Sequence, residues 1–571
     1  MSRRVPSRFF AALALASGLA ALCGCGGSSS TATAPGAAPD SGGVPLDGAS
    51  AGPPERGDCV RLVDTADPQS LNFIRATDRF SSQIAGLVTD TLVQYDAKGE
   101  VIGRVAESWS VSDDGLTWTF RIRPGVRWQD GAPVTSRDAA YTLERILDPR
   151  SRAVSRIGYF TGVVSVETPD DATFRVHYRE PSVTALASWT DAPLIPRHLW
   201  EKQADFLDNP LCRAPVGCGP FRFVSWDAGR QIVLEANDGY WDGRPALDRI
   251  VFRIIPQDTT RLQALELGEV DALSLTPDQV ATRADRPEFT RRFRRLTYPL
   301  PYVYYIGWNM DRSNPFFSDR RVRQAMTLAL DRPGLLRDAW HGLGIAAASY
   351  ITRESWAYNP ALRPIPYDPA GAAALLDAAG WTDSDGDGVR EKGGVPFAFT
   401  LLYAATGKMN DDTAAYFQEN LRKVGVRMDL SRTEFRTMLD LVGSHRFAAF
   451  MSGLTLDADP DAFDMFHSSQ ARDGNNRVSY SNPEMDRLSE QGRREFDPAR
   501  RRAVYARIQE ILAEDQPWTF VSHPLMNVAI DRRIRGVTVS PLGLQQFWPG
   551  IAGWWVPRAE QRFPAGAAPG A

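Results

Sequence analysis

Residues 106–144 read AESWSVSDDGLTWTFRIRPGVRWQDGAPVTSRDAAYTLE. After Asp114-Gly115, a hairpin-turn dipeptide, Leu116, Trp118, Phe120 and Ile122 alternate with Thr117, Thr119, Arg121 and Arg123. A period of two sends the bulky apolar side chains to one face of a strand. Pro124-Gly125 and Asp130-Gly131 mark the next turns. Thr135 and Asp138 then stand at capping-box spacing, with Asp in place of Glu or Gln, ahead of an apolar-periodic helix. The stretch predicts a β-meander that runs into a helix.

Working outward, the same alternation of strand and helix continues. Residues 59–63 and 306–309 have strand character. Behind a Ser318 or Asp319 cap, Val322, Ala325, Met326, Ala329 and Leu330 repeat at helical spacing. Asp368 caps a helix over 369–379 that opens on Pro369 and stops before Gly380. Asp497 caps another over 498–516, ended by Pro517, with Val504, Ile508, Ile511 and Leu512 as its buried stripe. Mixed elements of this kind predict an α/β protein.

The chain has 571 residues, enough for three or four domains, and 43% of them are apolar. Its 65 basic and 69 acidic residues leave a net charge of −4, evenly mixed, which argues against a nucleic-acid partner. The six His residues show no metal-ligand spacing and no Gly-x-Ser-x-Gly elbow occurs, so neither a metal centre nor an enzyme is expected. Residues 383–391 (DSDGDGVRE) begin like a calcium loop, with Asp383, Asp385 and Asp387 at alternate positions. Gly394 stands where the bidentate ligand belongs, and a Gly-Asp-Gly turn accounts for the string.

The N-terminus reads as an export signal. Arg3, Arg4 and Arg8 precede an apolar run over 9–22 that is too short to span a membrane. Leu22-Cys23-Gly24-Cys25 resembles a bacterial lipoprotein box, with Cys23 as a departure, and predicts a signal peptide over 1–24 and lipid attachment at Cys25. An ordinary secreted leader is the alternative; Arg3-Arg4 also suggests a twin-arginine signal, which Val5-Pro6 does not fit. Residues 25–58, rich in Ser, Gly, Ala, Thr and Pro, read as a flexible tether.

The order ESW-x-V-S-x-DG, then F-x-I-R-x-GV-x-W-x-DG-x-P-V-T-x-x-D, within 107–138 resembles the dipeptide/oligopeptide-binding family of periplasmic solute-binding proteins, extracellular solute-binding protein family 5. So do PQSLN (68–72), LVTDTLVQY (87–95), PVGCGPF (215–221, with Cys218 for a hydroxyl residue), NDGYW (237–241), RLQALELGEVD (261–271) and PFFSDRRVR (315–323). The resemblance runs from about residue 59 to 548. It implies a two-lobe, class II periplasmic-binding-protein-like α/β fold that the chain crosses twice, with an extra domain inserted in the first lobe. The expected partition is lobe I from 59–95, 210–300 and 521–557, the inserted domain at 96–209, lobe II at 301–520, and a disordered tail at 558–571.

That resemblance also implies a periplasmic, monomeric carrier that gives peptides or peptide-like solutes to an ABC-type permease and ATPase, needing no cofactor. With no second spanning run and no phosphate-binding Gly-x-x-x-x-Gly-Lys-(Ser/Thr) loop, the chain is neither permease nor ATPase. Asp457 holds the position of the family's acid for a ligand α-ammonium, a charge-assisted contact, although Leu454 and Ala458 replace a Trp and a Tyr of the motif and Asp459 or Asp461 could serve equally as caps. Arg353 is the candidate for the ligand carboxylate. Trp308 and Asn309 are candidates to line the cleft, although a strand Trp is more often core. In an oxidising compartment Cys212 and Cys218 are expected to pair, with Cys59 as competitor. A non-peptide solute (nickel complex, opine or sugar) and a periplasmic receptor or chaperone without transport role are the alternatives.

Overall fold

The 14-residue strand Trp518–Asp531 ties the two lobes together. Its N-terminal half pairs with Tyr302–Trp308, and its C-terminal half with Phe293–Pro299. The chain therefore crosses between lobes at 299–302 and again at 522–525. At the crossing His523 is buried, its Nδ1 is 2.9 Å from the Tyr302 carbonyl, and burial lowers its pKa to about 4. In this computed structural model the described residues are 44–45, 52–311, 314–472 and 474–563. The expected leader, the lipid-attachment residue Cys25 and most of the tether lie outside them.

Lobe I is built on a four-stranded sheet ordered Cys59–Asp64, Arg249–Ile254, Gln231–Ala236, Phe221–Asp227, whose first pair is parallel. A second four-stranded sheet, wholly antiparallel, holds Ala106–Val111, Thr117–Ile122, Thr173–Tyr178 and Val163–Asp170. Trp118, Phe120 and Ile122 are buried on one face of it, against Phe174 and Trp189. Full burial of each such side chain is worth roughly 1.5–3 kcal/mol. The hairpin loop is wider than the Asp114-Gly115 dipeptide alone predicts. Ser112 N–H already bonds the Thr117 carbonyl, and Gly115 takes φ +72° within the loop. Thr135 N–H donates to Asp138 Oδ2 at 2.8 Å, closing the capping box ahead of Ser136–Leu147.

Lobe II carries the eight-stranded sheet in which Tyr302–Trp308 lies between Ala449–Thr455 and Trp518–Asp531. Both faces of that strand are covered, so it is apolar nearly throughout. Helices Arg320–Leu328, Pro369–Ala378 and Pro498–Asp515 begin at Asp319, Asp368 and Asp497, each accepting a backbone N–H.

Two boundaries differ from expectation. The packed body begins before Cys59, since buried Asp58 binds Arg533 and Gly57 N–H reaches the Ala246 carbonyl. Residues 558–563, expected in a disordered tail, are ordered by charge: Arg562 bonds Asp531 at 2.7 Å and Asp271 at 3.3 Å, while Phe563 N–H donates to Asp58. Among the described residues no helix is long and apolar enough to cross a membrane.

Candidate functional site

Between the lobes lies a cleft of about 1300 Å³. One wall comes from residues 79–95, 154–193 and 542–551, the other from 454–465 and 490–494. The second wall starts where the central strand Ala449–Thr455 ends. There Leu456 N–H bonds the Pro301 carbonyl and the chain turns into the cleft as Asp457-Ala458-Asp459-Pro460-Asp461. Gly453 is needed just before this turn, because Tyr302 lies so close that a Cβ would sit 1.7 Å from its hydroxyl.

Three carboxylates on that turn have different fates. Asp459 accepts a two-pronged bond from buried Arg501, at 2.6 and 2.8 Å. Asp461 takes Arg493 Nε at 2.6 Å, and the same guanidinium lies 4.0 Å above the Phe463 ring and reaches Asp464. Among the described residues no cation pairs with Asp457; the Tyr159 hydroxyl donates to its Oδ2 at 3.3 Å from across the cleft. Water reaches Asp457 through the cleft mouth, yet atoms of both lobes surround it. That enclosure raises its pKa to about 6, with Asp191, Asp459 and Asp461 adding to the rise and the Tyr159 hydrogen bond opposing it.

At the far end of the first wall, buried Arg104 lies 3.6 Å over the Trp548 ring and 2.8 Å from Asp242, with Asp90 at 3.6 Å. Asp90 also accepts from Tyr240 and Trp241. The loop over 215–221 holds this wall in register. Gly219 N–H bonds the Val88 carbonyl at 2.9 Å, and at Gly217 a Cβ would meet that carbonyl oxygen at 1.9 Å.

A model of the bacterial extracellular solute-binding proteins, family 5 Middle, matches residues 100–476, more than half of the chain. The chain belongs to this family. It is 32% identical over 518 residues, 89% of this chain and 93% of the relative, to the oligopeptide-binding protein AppA of Bacillus subtilis. The solved structure of that AppA in complex with a nonapeptide superposes with a TM-score of 0.73 at 28% identity, covering 89% of this chain and all of AppA. The substrate-binding protein CtaP of Listeria monocytogenes superposes with a TM-score of 0.77 at 25% identity, over 88% of this chain and all of CtaP. The nickel-binding periplasmic protein of Escherichia coli is 26% identical over 471 residues, 80% of this chain and 88% of that protein. As a family 5 solute-binding protein, the chain is a binding protein and not an enzyme.

Of the four ligand-contact candidates Asp457, Trp308, Asn309 and Arg353, only Asp457 is among the residues that line the cleft. Trp308 does not line it: the central strand buries it among Phe317, Phe399 and Phe417, and its indole N–H donates to Thr519 Oγ1 at 3.0 Å. Asn309 is likewise structural, tying the strand end to the Phe447 and His445 carbonyls. Arg353 is exposed outside the cleft lining, where its charge helps to keep His523 neutral. The expected Cys212–Cys218 bridge is not made; Cys59, Cys212 and Cys218 are all free and buried. Cys218 Sγ faces Thr89 Oγ1 at 3.7 Å inside the core, whereas Cys212 Sγ points to the Leu207 carbonyl at 3.6 Å.

Residues 383–391 form a turn with Gly386 and Gly388 at positive φ. Asp383, Asp385 and Glu391 bring carboxylate oxygens within 4.8 Å of one another, and each accepts hydrogen bonds from the turn's own backbone. Tyr159, Arg493 and Arg501 are the site residues that sequence reading missed. Tyr159 lies in a short 3₁₀ turn, Ile157–Phe160, and carries no local motif.

Proposed function

We propose that this chain is an extracytoplasmic carrier that captures peptides, closes its lobes over them and presents them to an ABC-type importer. The observation that carries this reading is Asp457, which among the described residues has no cation on its cleft wall while its neighbours Asp459 and Asp461 each hold an arginine. A peptide α-ammonium supplies the missing charge, and such a bond is worth about 1.5–3 kcal/mol. The Tyr159 contact links the opposite wall to the same carboxylate, so a ligand at Asp457 touches both lobes and favours the closed form. The name of AppA and its complex with a nonapeptide support a peptide ligand. Among the described residues the cleft lining contains no His or Cys, which gives a metal chelate no imidazole or thiolate donor.

In this reading Cys25 carries a lipid that holds the protein at the membrane, the tether lets the body reach its permease, and the protein works as a monomer in the periplasm. The partition into lobe I, an inserted domain over roughly 96–209, and lobe II belongs to the same proposal. Calorimetric titration of the full chain with pools of di- to pentapeptides tests the ligand class. Binding of at least one pool is expected; heat from none of them, with the protein folded, removes the peptide claim. Loss of binding on N-acetylating the pools is the expected sign that Asp457 grips the amine.

A further inference from the structure

Lobe I carries an arginine-rich face outside the cleft. Residues 283–295 hold six arginines against two acids, and residues 532–535 hold three arginines and no acid, in a chain whose net charge is −4. The fold brings the two stretches together. The strand Phe293–Pro299 pairs with the C-terminal half of Trp518–Asp531, and Arg532 then bonds the Arg292 carbonyl through its N–H and the Thr290 carbonyl through Nε, both at 2.9 Å. Those carbonyls end the helix Pro287–Arg292, which is about 9 Å long, so Arg286 at its start belongs to the same patch. Arg292 meets Asp531 at 3.7 Å, and Arg295 meets Asp285 at 3.2 Å. Arg286, Arg291 and Arg532 are exposed, and with half-buried Arg283 they make no ion pair among the described residues. Glu288 and Glu266 are the exposed acids beside them in the same condition, which leaves the patch basic. Leu267 adjoins it: a Cβ on Gly268 would collide with the Arg292 guanidinium, and at 75% exposure Leu267 is the most exposed large apolar residue among those described.

The tether joins the body next to this patch. Gln561 Nε2 donates to the Arg56 carbonyl at 3.0 Å, and Arg558 N–H donates to Glu55. Between them Glu560 holds Arg535 at 2.8 Å, and Arg535 in turn donates to the Arg532 carbonyl. We propose that the arginine face rests on an anionic phospholipid surface. This rests on the envelope reading above, in which Cys25 holds the chain at a membrane, and adds to it which side of the body faces that membrane. Attraction between exposed charges reaches only about 10 Å at 0.1 M salt, so a basic face contributes where it is kept close to the bilayer, and the entry point of the tether keeps it there. One basic residue near an anionic bilayer favours contact roughly fivefold. The guanidinium fork matches lipid phosphate oxygens, and Leu267 offers an apolar side chain to the headgroup layer. An acidic protein surface would also attract the arginines, but the tether and the exposed leucine favour a bilayer.

The test gives the full chain to vesicles of pure phosphatidylcholine and to vesicles of equal parts phosphatidylglycerol and phosphatidylcholine. An N-terminal lipid contributes to both binding constants, so their ratio reports the patch. At low salt the wild type should prefer the mixed vesicles about 100-fold, and in about 1 M salt, where the Debye length is about 3 Å, the preference should vanish. R286Q/R291Q/R532Q should bring the ratio close to one. R286Q, whose side chain makes no hydrogen bond among the described residues, should lower it roughly fivefold. None of these arginines lines the cleft, so peptide affinity should not change. Phenylglyoxal should modify Arg286, Arg291 and Arg532 more slowly on the mixed vesicles, while exposed Arg436 of lobe II reacts as in solution. A wild-type ratio near one overturns the inference and leaves an acidic protein as the candidate occupant. A preference that survives the triple variant, or equal shielding of Arg436, overturns it as well. In each of these cases the peptide reading stands. Weak binding to pure phosphatidylcholine counts against the lipid at Cys25 and not against the patch.

Discussion

Two regions of this protein concentrate carboxylates, and they treat them in opposite ways. At the base of lobe I, buried Asp58, Asp271 and Asp531 meet Arg533, and Arg61, Arg292 and Arg562 join the same cluster. This cluster joins the first strand, the long inter-lobe strand and the chain's last described residues into one unit. On the cleft wall, Asp459 and Asp461 are matched in the same manner, but Asp457 is not. Atoms of both lobes enclose Asp457 although water reaches it, and no arginine among the described residues answers its charge. The contrast separates charge that closes on itself, and therefore holds structure, from charge left open for something that arrives later.

The largest expected effect comes from breaking the closed cluster. R533M leaves Asp58 without its cation and strips one from Asp271, and removing one member of a buried pair typically costs about 3–5 kcal/mol. The urea midpoint should fall sharply while peptide affinity, measured without urea, stays as in the wild type. Equal loss of affinity would show that the base of lobe I and the cleft are not independent. The reverse pattern is expected for D457A. It should lower peptide affinity by about 10–150-fold, the equivalent of 1.5–3 kcal/mol, with no loss of stability.

The sign of the pH effects follows from the raised pKa of Asp457. A carboxylate pushed up to about 6 by burial destabilises the folded ligand-free protein once ionised; that penalty is absent below the ordinary carboxylate pKa and complete above about 6. D457N should therefore melt slightly higher than wild type at pH 7.5 and at the same temperature at pH 3.5. Binding moves the other way. The amine needs an ionised partner, so wild-type affinity should drop by roughly tenfold per pH unit below about 6. A titration series that stays flat from pH 7.5 to 5 would detach the ligand from Asp457.

What the sequence made legible was local or carried by motif. The one-sided burial of Trp118, Phe120 and Ile122, the Thr135–Asp138 capping box and the caps at Asp368 and Asp497 follow from spacing alone, because they join residues within a few positions of each other. Asp457 was legible only through the family's motif. Its setting was not, since Tyr159 is 298 positions away and Arg501 lies 42 positions beyond Asp459. Trp308 and Asn309 misled because an aromatic near a lobe boundary reads the same whether its strand is central or at an edge; here both faces are covered. The cysteines misled for a geometric reason. Nearness in sequence does not fix the direction of the Cβ–Sγ bonds, and a disulfide requires that direction.

The smallest expected effect concerns the hydrogen bond that spans the cleft. Y159F removes one hydroxyl, on average worth about 0.5–1.5 kcal/mol, and the long 3.3 Å contact belongs at the low end. Its signature lies in the pH dependence. The Tyr159 hydroxyl stabilises the ionised form of Asp457, opposing the effect of burial. Without it the carboxylate pKa should climb further, so the acid limb of the binding curve should move to higher pH. Near pH 8 the variant should bind peptide almost as well as wild type, and near pH 6 it should bind visibly more weakly. If the two binding curves differ by a constant factor at every pH, Tyr159 contacts the ligand without tuning Asp457, and the one open charge on that wall owes its state to burial and its acidic neighbours alone.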